Sequence, residues 1–330
     1  MNSPTPVSPQ LHIVVLLPLR DDWASVIELI RRLDKCISRE VYRTEIVLVD
    51  DASIQACDRS TFPSSLSAVR TIEILRLRRN LGHQRAIAVG LMHIKQTIPC
   101  DAVVVMDADG EDTPEGLAQL LSAYSKNGFT IAIFAERSLR VDSSLFQSFY
   151  VLYRIIHRAL TGISVRVGNF SILPCRYLST LSVMPELWSH YAAAVFRSKL
   201  MFTTIPIPKG RRIAGKSRMN FVELVSHGLS AISVFGDIVG VRLLVGSLLG
   251  ALIAGFGIVS VIGIRIFTDW AIPGWAPLII GVLAVMLIQF ISIATSFTFF
   301  VLANRFNLGF LPARDYSYFV AETMGVYPHE

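Results

Sequence analysis

The segment AVVVMDADGEDTPEG, residues 102–116, decides how the rest of the chain is read. Ala102–Met106 is an unbroken apolar run of strand length, the kind that is buried on both faces in a parallel sheet. Pro114 suits the first turn of a helix, where the N–H it lacks would have no partner anyway. Between the two stand Asp107, Asp109, Glu111 and Asp112. A buried strand, an acidic turn and a helix in that order form one step of a βαβ series. The flanking sequence supplies the other steps.

Upstream, His12–Leu17 reads as a buried first strand. Asp22 stands where it can cap a helix whose apolar positions include Val26, Leu29, Ile30 and Leu33. Glu45–Val49 reads as a second strand ending in Asp50-Asp51, and Ile72–Leu77 as a third. A helix from about Gln84 to Lys95 follows. Downstream, the helix opened by Pro114 runs to about Asn127, with Gly128 as its stop, and Thr130–Phe134 is a fifth strand. This alternation predicts a Rossmann-like α/β domain, its sheet mixed but mostly parallel, with helices on both faces. In such folds ligands bind beyond the carboxyl ends of the strands. The polar residues cluster at those ends: Pro18 to Asp22, Asp50-Asp51, and Asp107 to Asp112. A nicotinamide or flavin site would need GxGxxG after the first strand. Pro18-Leu19-Arg20-Asp21-Asp22 stands there instead.

The mean hydropathy of +0.51 is high for a water-soluble enzyme, and the apolar excess is concentrated. Leu243–Ile264 is 22 residues without a charge, and Trp270–Asn304 is 35. A helix needs roughly 20 residues to cross a hydrocarbon core, so two transmembrane helices are expected rather than buried core helices. Lys209, Arg211, Arg212, Lys216, Arg218 and Arg242 precede the first span, and Arg305 and Arg314 follow the second. The loop between carries only Arg265 and Asp269. The positive-inside tendency then puts both ends of the hairpin in the cytoplasm. Met1 to Gln10 has neither a basic n-region nor an apolar h-region, so the preceding domain is expected to stay cytoplasmic at the inner membrane. The basic cluster lacks interleaved aromatics, which argues against a nucleic-acid partner. Four cysteines without a CxxC pair suggest neither a disulfide framework nor a zinc site, and reduced thiols are expected.

Carboxylates at 107, 109 and 111, just past a strand, can converge on a hard divalent cation that keeps positions open for phosphate oxygens. Such an ion would act as a Lewis acid toward a departing diphosphate. The plainer reading is an acidic turn that caps the following helix. Asp50 and Asp51 are acceptor-only groups suited to a base N–H and a ribose hydroxyl, or else turn formers. Gly82, in Asn80-Leu81-Gly82-His83, permits close backbone approach, and His83 could face phosphate. Phe221, Leu224, Val225, Leu229 and Ile232 fall at helical spacing, which fits an interfacial helix or one packed on the preceding domain. Gly246, Gly250 and Ala254, spaced by four, allow close approach of a second helix or another subunit.

The ordered motifs PLRDD, VDDAS, RNLGHQRAIAVGL and MDADGEDTPE resemble the catalytic domain of glycosyltransferase family 2, of GT-A fold. More narrowly they resemble polyprenyl-phosphate glycosyltransferases, the group of dolichol-phosphate mannose synthase and the bacterial GtrB and ArnC enzymes. The resemblance runs from about His12 to Arg218. It implies a nucleotide-sugar site of Pro18, Arg20, Asp22, Asp50, Asp51, Gly82, Asp107, Ala108 and Asp109. Asp107, Asp109 and Glu111 would hold Mg²⁺ or Mn²⁺. Asp109 and Arg137 would be catalytic, Arg137 lying near the diphosphate. Asn169, Arg212, Ser217 and Arg218 would bind the acceptor, the last three gripping phosphates.

The pattern departs from that family at three places. Gly168-Asn169-Phe170-Ser171 replaces Gly-Asp-Phe-Arg, Phe146-Gln147-Ser148 replaces a basic position, and Arg20 replaces a tyrosine. An amide at 169 cannot act as a general base. A polyprenyl phosphate needs none, because its remaining acidic proton has a pKa of about 6. The expected activity is therefore metal-dependent, inverting transfer from a UDP- or GDP-linked sugar to a polyprenyl phosphate. The alternatives are a glycosyltransferase acting on another membrane lipid or glycan hydroxyl, or a non-catalytic membrane scaffold. On this reading residues 1–10 are a disordered N-terminus and 11–219 the GT-A domain. A juxtamembrane amphipathic helix spans 220–240, transmembrane helices span 241–266 and 274–304, and 305–330 is a cytoplasmic tail. A homo-oligomer is expected from family analogy and the small-residue stripe.

Overall fold

The computed structural model describes residues 10–137, 155, 157–162, 167–214, 228–268, 274–305 and 309–328. They fall into two compact units, one built on a sheet and one on an apolar hairpin. The sheet unit contains β1 (Leu11–Leu19), β2 (Tyr42–Asp50), β3 (Val69–Leu77), β4 (Ala102–Val105), β5 (Ala132–Arg137), β6 (Val167–Pro174), β7 (Phe202–Ile207) and β8 (Val320–Tyr327). Their order across the sheet is β7-β5-β6-β4-β1-β2-β3-β8. Strands β4, β1, β2 and β3 run parallel, as do β5 and β7. Strands β6 and β8 are antiparallel to their neighbours. The mixed, mostly parallel sheet matches the expectation.

Alternation along the strands divides the core between two faces. Ile13, Val15 and Leu17 pack on one side with Val26, Leu29, Ile30 and Leu33 of α1 (Trp23–Cys36) and Leu117 and Leu120 of α3 (Pro114–Lys126). Val14 and Leu16 pack on the other with α2 (His83–Thr97), α4 (Tyr177–Leu181) and α5 (Tyr191–Arg197). Full burial of each such side chain contributes about 1.5–3 kcal/mol. Glycine at position 90 lets helix α2 pack directly on Leu16 and Val49 of the sheet. A Cβ there would fall 2.5 Å from Leu16 Cδ1 and 2.7 Å from Val49 Cγ2.

Several local readings change. Asp22 occupies the N-cap position of α1, yet its side chain makes no capping bond; Thr113 caps α3 by accepting from the Gly116 N–H. Residues 305–330 are not all tail. Val320–Tyr327 pairs with β3, from Ile72 opposite Tyr327 to Leu77 opposite Val320. That strand covers an edge whose unpaired N–H and C=O groups would otherwise invite association. The approach to it is held by Phe310 and Phe319, whose ring centroids lie 3.8 and 4.9 Å from that of Trp188. The expectation of reduced thiols also fails for one pair. Ala102 opposite Pro174 in the β4–β6 ladder brings Cys100 and Cys175 to a Cα–Cα distance of 6.1 Å, and they form a disulfide. Cys36 and Cys57 are free.

The second unit holds α6 (Gly236–Phe267) and α7 (Trp275–Arg305), both long and apolar enough to cross a membrane. Gly250 abuts the Phe290 ring, where a Cβ would fall 2.7 Å away, and Gly257 lies against Leu283. Gly246 faces open space, so only part of the small-residue stripe serves this packing. Residues 220–227 of the 220–240 segment lie outside the described residues; Gly228–Ser233 is helical, and α6 already begins at Gly236.

Candidate functional site

The carboxyl ends of β1, β2 and β4 carry the polar residues expected there, and the loops are tied to one another. Asp21 has φ 55°, a conformation Asp adopts more readily than most residues. Its Oδ1 accepts from the N–H groups of Ile54 and Gln55 at 2.7 and 3.0 Å, and its own N–H donates to Ser53 Oγ at 2.8 Å. Arg20 projects beside it, exposed, with Nε 4.0 Å from Asp21 Oδ2. Pro18 lies opposite Val49, and Leu19 ends the paired part of β1 opposite Asp50.

Asp50 and Asp51 are both buried, and both are used within the protein. Asp50 Oδ1 accepts from the Ser53 N–H at 2.8 Å, and Arg76 Nε lies 3.8 Å from Oδ2. Asp51 accepts from the N–H groups of Leu81 (2.6 Å) and Gly82 (2.8 Å). It thereby holds the loop that starts α2, where Gly82 has φ 89°. Burial raises the Asp51 pKa, against the lowering effect of those two N–H groups and of Arg20. A nucleobase would have to use the lone pairs these bonds leave.

The acidic turn after β4 is organised by its own side chains. Asp112, buried, accepts from the Asp107 N–H at 2.8 Å, and Asp109 Oδ1 accepts from the Glu111 N–H at 2.8 Å. Asp107 Oδ1 lies 3.1 Å from His83 Nε2. Desolvation alone would lower the His83 pKa, but the carboxylates of Asp107, Asp112 and Asp109 outweigh it and hold the imidazole above its usual value. Asp109 is raised, first by burial and then by the charge of Asp107. Cations from the segment after β7 answer this negative charge. Arg212 Nη2 lies 2.7 Å from Asp109 Oδ2, and Lys209 Nζ lies 2.7 Å from Glu111 Oε2.

Three acidic groups were expected to converge on a metal. Among the described residues no three His, Cys, Asp or Glu side chains are so placed, and Glu111 is turned to Lys209. The arrangement does fit an ion that arrives with a diphosphate. Magnesium is commonly held by one or two carboxylates plus substrate phosphates, not by an all-protein cage. Asp107 and Asp109 offer two carboxylates that such an ion could use, with the Asp109 pKa raised first by burial and then by the charge of Asp107.

Asn169, on β6, is buried beside this turn, and its amide orientation is determined by its neighbours. The Tyr191 N–H donates to Gln84 Oε1 at 2.8 Å, which leaves Gln84 Nε2 to donate to Asn169 Oδ1 at 3.1 Å. Asn169 Nδ2 then faces His83 Nε2 at 3.0 Å. The sequence offers His83 only as a group that could face phosphate and marks Gln84 only as the start of a helix. The usable signal was their place at the start of a helix that follows a left-handed glycine, since the first residues there point beyond the strand ends. Arg137 is the last residue of β5, opposite Ile207. Ser217, Arg218, Phe146 and Gln147 lie outside the described residues.

Residues 24–178 match the family described as Glycosyl transferase family 2. The chain is 24% identical over 281 residues to the uncharacterised glycosyltransferase YkcC of Bacillus subtilis, covering 83% of this chain and 84% of that protein. It is 27% identical over 285 residues to the undecaprenyl-phosphate 4-deoxy-4-formamido-L-arabinose transferase of Salmonella choleraesuis, covering 81% of each. Among solved structures, the glucosyl-3-phosphoglycerate synthase of Mycobacterium tuberculosis, in complex with Mn²⁺, uridine diphosphate and phosphoglyceric acid, aligns with a TM-score of 0.50. The identity is 12%, over 70% of this chain and 79% of that one, a likeness of fold.

Proposed function

We propose, on the premise that this chain is a family 2 glycosyltransferase, that it transfers a sugar from a nucleotide-diphosphate sugar to a polyprenyl phosphate by one inverting displacement. The observation that carries this reading is Asn169. At the position beside the acidic turn stands an amide, oriented by Gln84, where transfer to a hydroxyl would call for a general base. General base help contributes about 10²–10⁴-fold to such a reaction. A phosphate acceptor is largely ionised near neutral pH and needs no proton removed. The relatives named for undecaprenyl phosphate and the two long apolar helices support the same substrate class.

In this reaction an acceptor phosphate oxygen attacks the anomeric carbon. The bond from that carbon to the donor's diphosphate breaks, and the nucleoside diphosphate leaves with the electron pair. Asp107 and Asp109 would hold Mg²⁺ or Mn²⁺, which supplies Lewis-acid stabilisation to the departing diphosphate. Pro18, Arg20, Asp22, Asp50, Asp51, Gly82 and Ala108 form the nucleotide side. Arg137 stabilises the leaving group, while Arg212, Ser217 and Arg218 grip phosphates, as planar guanidinium groups do well. The hairpin keeps the enzyme at the inner membrane with its sheet unit in the cytoplasm.

The test offers the full chain in nanodiscs a panel of labelled UDP- and GDP-sugars, with undecaprenyl phosphate or undecaprenol, and identifies lipid products by mass. Product with the phosphate and none with the alcohol is expected. Transfer to the alcohol, or to a glycan in preference to the phosphate, overturns the reading.

A further inference from the structure

Residues Lys209–Ile213 lie across the acidic turn as a strap. The Gly210 N–H donates to Glu111 O at 2.8 Å and the Ile213 N–H to Asp109 O at 3.0 Å. Ile213 covers Gly110, where a Cβ would fall 2.5 Å from Ile213 Cγ1. A Cβ on Gly210 would fall 2.9 Å from the Gly110 carbonyl oxygen. Strap and turn are therefore in backbone contact, and that contact delivers two cations. Lys209 meets Glu111, and Arg212 Nη2 meets Asp109 at 2.7 Å. The Nε of Arg212 is buried, lies 3.5 Å from Glu111 Oε1, and among the described residues has no hydrogen-bond partner. The guanidinium is thus half used. One arm rests on a carboxylate suited to metal, and another donor lacks an acceptor.

We propose that Arg212 is a displaceable counter-ion of Asp109, which yields the carboxylate to a divalent ion only when the donor's diphosphate offers the guanidinium another partner. The inference rests on the reading that Asp107 and Asp109 hold a metal, and it moves Arg212 from the acceptor side, where the family resemblance puts it, to the donor's diphosphate. A metal arriving alone must displace Arg212 and then tolerate its charge nearby. A metal arriving with a diphosphate gives Arg212 two oxygens in the fork geometry that guanidinium favours. Metal and nucleotide then strengthen each other's binding by the same factor, as linkage requires. The enzyme holds metal weakly until a donor is present.

The experiment measures free Mn²⁺ by electron paramagnetic resonance with the full chain in nanodiscs, alone and with UDP or GDP. Wild type is expected to bind Mn²⁺ weakly alone and more tightly with one of the nucleotides. Arg212→Gln is expected to bind Mn²⁺ alone about tenfold more tightly, equivalent to about 1.4 kcal/mol, and to gain correspondingly less from nucleotide. Arg212→Lys, which keeps the charge, is expected to stay within about threefold of wild type by the same scale. It carries the test should the glutamine variant not fold, and tenfold tightening in it would overturn the proposal. Wild type with nucleotide-dependent binding but R212Q no tighter for Mn²⁺ alone overturns the counter-ion role and leaves the metal site standing. Wild type that binds no Mn²⁺ with either nucleotide overturns both.

Discussion

Asp51 is the residue at which the anchor and ligand roles separate most cleanly. Asp51→Ala removes the acceptor for two backbone N–H groups, those of Leu81 and Gly82. The losses are unequal. Gly82 N–H retains Asn80 Oδ1 at 3.0 Å, so its bond contributes at most about 1 kcal/mol net. Among the described residues no such alternative is seen for Leu81, a buried residue, and an orphaned buried amide costs about 1–3 kcal/mol. Against this, the substitution removes a carboxylate that burial disfavours, as its raised pKa reports. The net expectation is about 2 kcal/mol of local stability, or roughly a 30-fold higher population of the opened loop. Hydrogen exchange of nucleotide-free protein in nanodiscs reads this directly. Exchange at Leu81 and Gly82 should accelerate by about that factor, while amides in β1 and β4 keep their protection. If nucleotide binding is lost while exchange across 80–83 stays at the wild-type rate, Asp51 is a ligand contact and the anchor argument is wrong.

Three further expectations concern the base, the core and the acid limb. Asn169→Asp should change kcat with undecaprenyl phosphate by less than about tenfold, because no proton has to be removed; a gain of 10² or more would reveal a missing general base and a hydroxyl acceptor. Gly90→Ala gains about 1 kcal/mol of helix propensity. It also drives a methyl into Leu16 and Val49, and overpacking costs about 1–3 kcal/mol. A lower unfolding temperature is expected, and a higher one would refute the packing argument. Asp34 accepts from the N–H groups of Ser67, Ala68 and Val69. Burial alone would raise its pKa, but those bonds outweigh it and hold the carboxyl below its ordinary value. The stability this supplies is fully present above the unfolded carboxylate value of about 3.9, and is lost as pH falls through the lower folded value. Asp34→Ala should therefore show a flatter fall in unfolding temperature below about pH 4; an unchanged slope would remove Asp34 from that role.

Local patterns determined the strands β1 to β4, the helices between them and the hairpin, because each is written in a run of neighbouring residues. An apolar strand such as Ala102–Val105 and a span such as Leu243–Ile264 announce themselves by length and composition alone. The acidic turn was legible for the same reason. Tertiary structure alone decided what crosses the chain. It paired Val320–Tyr327 with a strand more than two hundred residues earlier and joined Cys100 to Cys175. It spent Asp51 on a loop, turned Glu111 to Lys209 and laid Arg212 on Asp109. These are pairings of single polar groups over long separations. No periodicity encodes them, and each forms only because burial makes an unpaired charge or N–H costly once the sheet has brought its partner near.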